Sequence, residues 1–189
     1  ALLKSAVNNL LTTFNNYQGG DVKVHFVTFA TQAGAESTFT ITNAADFAAA
    51  KAFINALVAN GNTNYEDALQ NAVSWLQSTG TGGPIAGGDT YTYFVSDGEP
   101  NTYVSGTNHA VSGSAGTVMN EIQGIGENTT TDNDGTLNEV GALKALSTQV
   151  IAVGIGVSTT TLGRLDVIDS NGDALDVRNP NDLSSALQG

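Results

Sequence analysis

Cysteine is absent from the 189 residues, which removes disulfides, thiolate zinc sites and a cysteine nucleophile together. Positive charge is scarce: 6 Lys and Arg stand against 18 Asp and Glu, for a net charge of -12. Phosphate binding rests on a basic footprint, so this balance argues against nucleic acid or an anionic membrane as partner and fits cations or basic surfaces better. Charged residues of both signs make up only 13%, leaving Asn, Thr, Ser and Gly to carry solubility, a composition common among secreted bacterial proteins. Long apolar runs are missing too. The longest, VIAVGIGV (150–157), is far short of the roughly 20 residues that a membrane span requires. The opening ALLKSAVNNLL has no basic region or cleavage-like site ahead of an apolar core, so it does not read as a signal peptide. Starting at Ala1 inside a helical pattern, without Met, the chain reads as one domain of something longer.

What is present alternates between two periodicities. VKVHFVTFAT (22–31) and VIAVGIGV are apolar at nearly every position, as in strands covered on both faces. STFTIT (37–42) alternates, with Phe39 and Ile41 inward after a turn around Gly34, and reads as a more exposed antiparallel edge strand. TYTYFVS and ALDV supply two further strands. Leu3, Ala6, Val7, Leu10, Leu11 and Phe14 form a helical stripe that stops near Gly19-Gly20, and Phe47, Ala50, Phe53, Ile54 and Leu57 form another that closes at Asn60-Gly61. A third helix is expected over 65–77, with Thr63 or Asn64 as its cap and Glu66 and Asp67 in its first turn. Shorter helices are expected over 118–125, 137–146, 159–168 and 180–187, and residues 99–116 read as a long loop. This pattern predicts an α/β, Rossmann-like fold with a mostly parallel central sheet, helices on both faces and one antiparallel edge strand.

The chemistry concentrates at TYTYFVSDGEPN (90–101), where a strand runs into Asp97, Gly98 and Pro100. Asp97 either opens a turn or places a carboxylate at the carboxyl end of a strand, where ligands of open α/β sheets bind. Nucleotide signatures fail. GIGVST (154–159) lacks the third glycine of the dinucleotide fingerprint, and neither a G-K-S/T loop nor a G-x-S-x-G elbow occurs. His25 and His109 are not spaced as a zinc pair; the expectation is a buried, satisfied His25 and a solvated His109. No acid, base and nucleophile set is visible, so the reading is not an enzyme. Oxygen ligands for a hard cation are more plentiful: Asp132, Asp134 and Glu139 surround one turn glycine, and Asp169, Asn171, Asp173 and Asp176 another, though neither has EF-hand spacing.

GNTNYEDAL (61–69), followed some thirty residues later by FVSDGEPN (94–101), resembles the von Willebrand factor type A domain. The resemblance covers essentially the whole chain, with NPNDLSSAL (179–187) similar to the family's last helix. The Asn/Thr/Gly-rich style, the long loop after Asp97 and the GDALDV segment look most like the type A domain of large bacterial RTX-type biofilm adhesins. The family builds a metal-ion-dependent adhesion site from D-x-S-x-S, a threonine in a G-x-T-N-type loop and the aspartate of a strand-ending D-G. That implies Thr63 and Asp97 as ligands of Mg²⁺ or Ca²⁺, with an open position for a carboxylate on a protein or surface partner at an extracellular or bacterial cell surface. D-x-S-x-S is nowhere in the chain; VIDSNGD (167–173) lacks its serines. In the family that motif, and the first central strand carrying it, precede the helix with which these residues begin. The strand and the remaining ligands are therefore expected upstream of Ala1, outside these 189 residues, leaving metal binding within them weak. The alternative is a calcium-stabilised spacer domain with an idle upper site.

Overall fold

The computed structural model describes residues 2–17, 19–58, 60–125 and 138–178. In chain order the elements are α1 (Leu2–Asn15), β1 (Val22–Phe29), β2 (Ala33–Ile41), α2 (Ala44–Ala56), α3 (Tyr65–Gln77), β3 (Tyr91–Ser96), β4 (Thr102–Ser105), β5 (Asn108–Ser112), α4 (Ala115–Glu121), α5 (Glu139–Leu146), β6 (Gln149–Ile155), α6 (Thr159–Ile168) and β7 (Leu175–Val177). The helix expected over 180–187 lies outside the described residues.

The strands form three ladders. β3, β6 and β7 are parallel in that order, Tyr91 opposite Gln149 and Val153 opposite Leu175, while β1 and β2 pair antiparallel from Val22 opposite Ile41 to Phe29 opposite Ala33. Among the described residues no ladder joins β1 to β3. Helices tie the two halves together instead. On one face α1 straddles them: Ala6 and Leu3 pack with Val153, Ile155 and Val177, whereas Leu11, Val7 and Phe14 pack with Val24 and Phe26 of β1 and with Ala50 and Ile54 of α2. On the other face Tyr65, Leu69, Val118, Ile122, Leu143 and Leu165 surround Phe94, Val150 and Ala152, and Val27 and Phe29 of β1 pack against this cluster. Phe29 stacks on Phe94 with centroids 5.4 Å apart, the aromatic bridge across the seam. All eight residues of β1 nevertheless stay only partly buried, whereas five of the seven in β6 are buried.

Local signals place several ends. Asn43 caps α2 by accepting the Ala45 and Asp46 amides, and α3 spans the predicted 65–77 with Asn64 as its cap. Three expectations need correction. α2 ends at Ala56 because Leu57 turns extended, so Asn60-Gly61 belongs to the loop beyond. Gly34 lies inside β2, which turns from β1 over residues 30–32, the Ala30 amide donating to the Gln32 carbonyl at 2.9 Å. Residues 99–116 are not an irregular loop: β4 and β5 form an antiparallel hairpin whose turn glycine, Gly106, takes φ +60. Its signal is the pair of short alternating runs TYVS and NHAVS around S-G-T-N, overridden by the polar composition.

The His25 side chain is largely covered, as expected, but it is not fully satisfied: its buried Nε2 has no hydrogen-bond partner among the described residues. Its Nδ1 lies 2.8 Å from Thr38 Oγ1 and its ring stacks on Trp75 at 4.4 Å, with Nε2 3.6 Å from the Glu36 carboxylate. Burial lowers its pKa below the ordinary 6.5. The fold thus favours neutral imidazole, and below 6.5 the unfolded chain binds more protons than the folded one. Stability is expected to be full above that pH and to decline as pH falls through it. Urea unfolding at neutral pH and about one unit below 6.5 checks this, with His25→Gln flattening the difference.

Candidate metal centre at the carboxyl edge of the sheet

The loop after β3 is fixed from beneath. The buried Ser96 hydroxyl accepts the Gly98 amide at 3.2 Å and donates to the Gly98 carbonyl at 3.0 Å, and the Tyr65 phenol donates to the same carbonyl at 2.7 Å. Burial pushes the Tyr65 phenol up to about 12, so it remains a neutral donor across physiological pH. Asp97 is left on the exposed side of this turn.

Thr63 is stitched to the same loop. Its amide donates to Asn101 Oδ1 at 2.9 Å, and its carbonyl accepts the amides of Asn101 and Thr102 at 2.9 and 3.2 Å. A Cβ built on Gly98 would stand 2.9 Å from Thr63 Oγ1, so the threonine hydroxyl occupies the space that glycine leaves beside Asp97. The Thr63 hydroxyl therefore lies against Gly98, in the turn at the carboxyl edge of β3 that also carries Asp97. A hydroxyl and a carboxylate are hard oxygen donors of the kind that Mg²⁺ and Ca²⁺ take, and Mg²⁺ commonly keeps water in its remaining positions. Thr63 and Asp97 are the two members of the expected ligand set that fall among the described residues; the others are expected upstream of Ala1.

Around this pair lies a layer that sequence reasoning missed in part. Asn64 is fully buried: its Oδ1 accepts the Asp67 amide at 3.0 Å, its Nδ2 donates to the His109 carbonyl at 2.8 Å, and its amide donates to the Ala30 carbonyl at 2.8 Å. The sequence marks Asp67 only as a helix-dipole acid. Its buried carboxylate accepts the Ala33 amide through Oδ2 at 2.5 Å and meets His109 Nδ1 through Oδ1 at 2.8 Å. His109 is exposed, as expected, and in addition its ring is oriented by a buried carboxylate. The unrecognised hairpin carries it to the α3 N-terminus; nothing in the local sequence signals that pairing.

The other acidic candidates do different work. Asp132 and Asp134 lie outside the described residues. Glu139 is buried in the first turn of α5, where Gln70 Nε2 donates to its Oε1 at 3.2 Å and reaches Glu66 Oε1 at 3.4 Å. Asp169 is buried and its oxygens are engaged by backbone: Oδ2 accepts the Ala152 amide at 3.0 Å and Oδ1 the Asn171 amide at 2.7 Å, with the Asp173 amide at 3.5 Å. Asp176 pairs with Arg178. In the turn with Asp169, Asn171 and Asp173, the Asp169 carboxylate thus clamps the end of α6 to β6 through backbone amides. Among the described residues no group of three or more His, Asp or Glu is placed to hold a metal.

A sequence profile of the von Willebrand factor type A domain matches residues 1–99 of the 189. The chain belongs to the von Willebrand factor type A domain family. Its type A fold recurs in the crystal structure of the pilus adhesin SpaC from Lactobacillus rhamnosus GG, at 15% identity and TM-score 0.66, covering 99% of this chain and 27% of that one. It recurs in proximal thread matrix protein 1 from the mussel byssus, at 19% identity and TM-score 0.63, covering 99% of this chain and 40% of that one. A further structure of the mussel protein, at 20% identity and TM-score 0.61, is described as having a zinc-occupied MIDAS motif. This type A domain thus spans well under half the length of those chains. Comparison with curated proteins gives no match. No described helix of the type A domain is long and apolar enough to cross a membrane.

Proposed function

We propose that this type A domain is a non-enzymatic adhesion module of an extracellular or cell-surface protein. It binds a carboxylate on a protein or surface partner through a Mg²⁺ or Ca²⁺ ion held by Thr63 and Asp97. The observation that carries this reading is the meeting of the Thr63 hydroxyl with the Asp97 loop across Gly98, at the carboxyl edge of β3. A low-charge oxygen set leaves the ion electrophilic toward an incoming acid. The resemblance to RTX-type bacterial biofilm adhesins belongs to this proposal, supported by the low-charge Asn/Thr/Gly composition and the GDALDV segment. No geometry among the described residues favours the calcium-stabilised spacer.

Calorimetric titration with Mg²⁺ and Ca²⁺ tests the ion. Asp97→Ala is expected to remove the binding heat while leaving circular dichroism unchanged. Gly98→Ala, whose Cβ displaces the Thr63 hydroxyl, is expected to weaken it about tenfold, the loss of one charge-assisted contact. Equal binding by Asp97→Ala and the unaltered chain would overturn the assignment.

The domain boundary is part of the same proposal. In the parent protein a further parallel strand, upstream of Ala1, fills the seam between β1 and β3 and brings the remaining ligands to the Thr63–Asp97 edge. Support comes from the absence of a ladder there among the described residues and from the incomplete burial of every β1 residue.

A further inference from the structure

The carboxyl edge carries a cation of its own. Arg164, in α6, forms an ion pair through Nη1 with Oε1 of Glu99, two residues beyond Asp97. The Glu99 side chain is 51% exposed and that of Arg164 24%. The pair therefore lies at the turn that carries Asp97, whose Gly98 carbonyl accepts the Tyr65 phenol. The chain has 6 basic side chains, and the other five are engaged elsewhere. Lys4 donates to the Asn55 carbonyl, Lys23 to Thr81 and Gly83, Lys144 to Val167; Lys51 lies over Phe47, and Arg178 pairs with Asp176.

We propose that Arg164 is a second anchor for the partner's carboxylate, and that Glu99 is a built-in competitor occupying it until the partner arrives. The inference rests on the adhesion reading above and adds a residue that selects for acidic partners. An acidic group approaching a domain of net charge -12 meets repulsion that one ion, already offset by Asp97, only partly relieves. A guanidinium beside the ion supplies the missing positive charge and a forked donor that matches a carboxylate's two oxygens. Exposed ion pairs are weak, so an incoming carboxylate displaces Glu99 at small cost. Glu99 also keeps the guanidinium from attracting anions indiscriminately in the free domain.

Acetate is the probe, titrated into the chain with Mg²⁺ present while the Arg164 Nε–H resonance is followed by NMR. Glu99→Gln is expected to tighten acetate binding about three- to fivefold, the strength of an exposed ion pair. Arg164→Gln is expected to weaken it, and the double variant to show no gain from removing Glu99. Arg164→Lys, which keeps the charge and loses the fork, should bind at an intermediate level. Unchanged acetate affinity in Glu99→Gln, or full affinity in Arg164→Gln, would overturn the proposal. Repeating the titration without Mg²⁺ and in Asp97→Ala separates the two readings. If only the ion is wrongly assigned, the Glu99→Gln gain persists in both. If only the anchor is wrong, Mg²⁺ dependence persists and the gain is absent.

Discussion

A chain extended by one apolar strand that fills the seam between β1 and β3 is expected to melt roughly 10 °C above the chain of 189 residues alone. The seam is an unusual place for a sheet to stop. Among the described residues β1 pairs only with β2 and β3 only with β6, so each has a row of backbone amides and carbonyls without a ladder partner on its seam side. Edge positions are tolerated on the outside of a sheet, but these two edges lie between α1 on one face and α3 on the other. A strand inserted between them would add about ten backbone hydrogen bonds, each worth about 0.5–1.5 kcal/mol net. It would also finish the burial of Val24, Phe26, Val27 and Phe29. Against this stands the entropy of ordering the new residues, and burial of the strand's apolar side chains on both faces tips the balance toward stability. Hydrogen exchange gives a second readout: the seam-side amides of β1 and β3 should change from fast to slow exchange when the strand is present. A fused strand that changes neither melting nor these amides would show that the seam is closed by side chains alone.

Asn64→Ala is the second large effect expected, a loss of about 3 kcal/mol in unfolding free energy. Asn64 is a hub. Its Oδ1 caps α3 at the Asp67 amide, and Nδ2 satisfies the His109 carbonyl and reaches the Thr31 carbonyl at 3.4 Å. Losing the cap costs about 1 kcal/mol. Leaving the part-buried His109 carbonyl of the β4–β5 hairpin without its donor costs up to about 1–3 kcal/mol more. Because Asn64 also bridges to Thr102, four loops loosen together: those around residues 30–33, 62–64, 98–102 and 108–110. The expected signature in urea denaturation is a lower midpoint with little change in slope, together with weaker cation binding since Thr63 loses its support. Asn64→Asp, which keeps the cap acceptor and loses the amide donor, should fall between the two. Stability equal to that of the unaltered chain would show that the hairpin does not depend on this side chain.

Most of the fold was legible in the sequence because its signals are local. Period-3.6 stripes marked α1, α2 and α3, near-continuous apolar runs marked β1 and β6, and Phe39 and Ile41 in alternation marked β2 as the antiparallel strand. The hairpin of β4 and β5 escapes because its two strands, of four and five residues, carry too few apolar positions to outweigh Gly, Ser, Thr and Asn. The carboxylates show the other limit. Asp97 and Asp169 each follow an ordered element and precede a glycine-containing turn. One is left exposed, and the other is buried and consumed by the Ala152 and Asn171 amides. No local pattern separates them, because the difference lies in which backbone amides the neighbouring strand presents.

The sequence by itself determined that this is an acidic, cysteine-free α/β domain, that Asp97 stands at the end of a strand, and that Thr63 and Asn64 begin a helix. These follow from side-chain periodicity, capping chemistry and turn residues within a few positions of one another. Only the tertiary structure decided that Thr63 lies against Gly98, that buried Asp67 holds His109, that Glu99 engages Arg164, and that the described sheet is interrupted between β1 and β3. Each depends on contacts between segments distant in the chain, whose geometry is set by how the helices pack across both faces of the sheet.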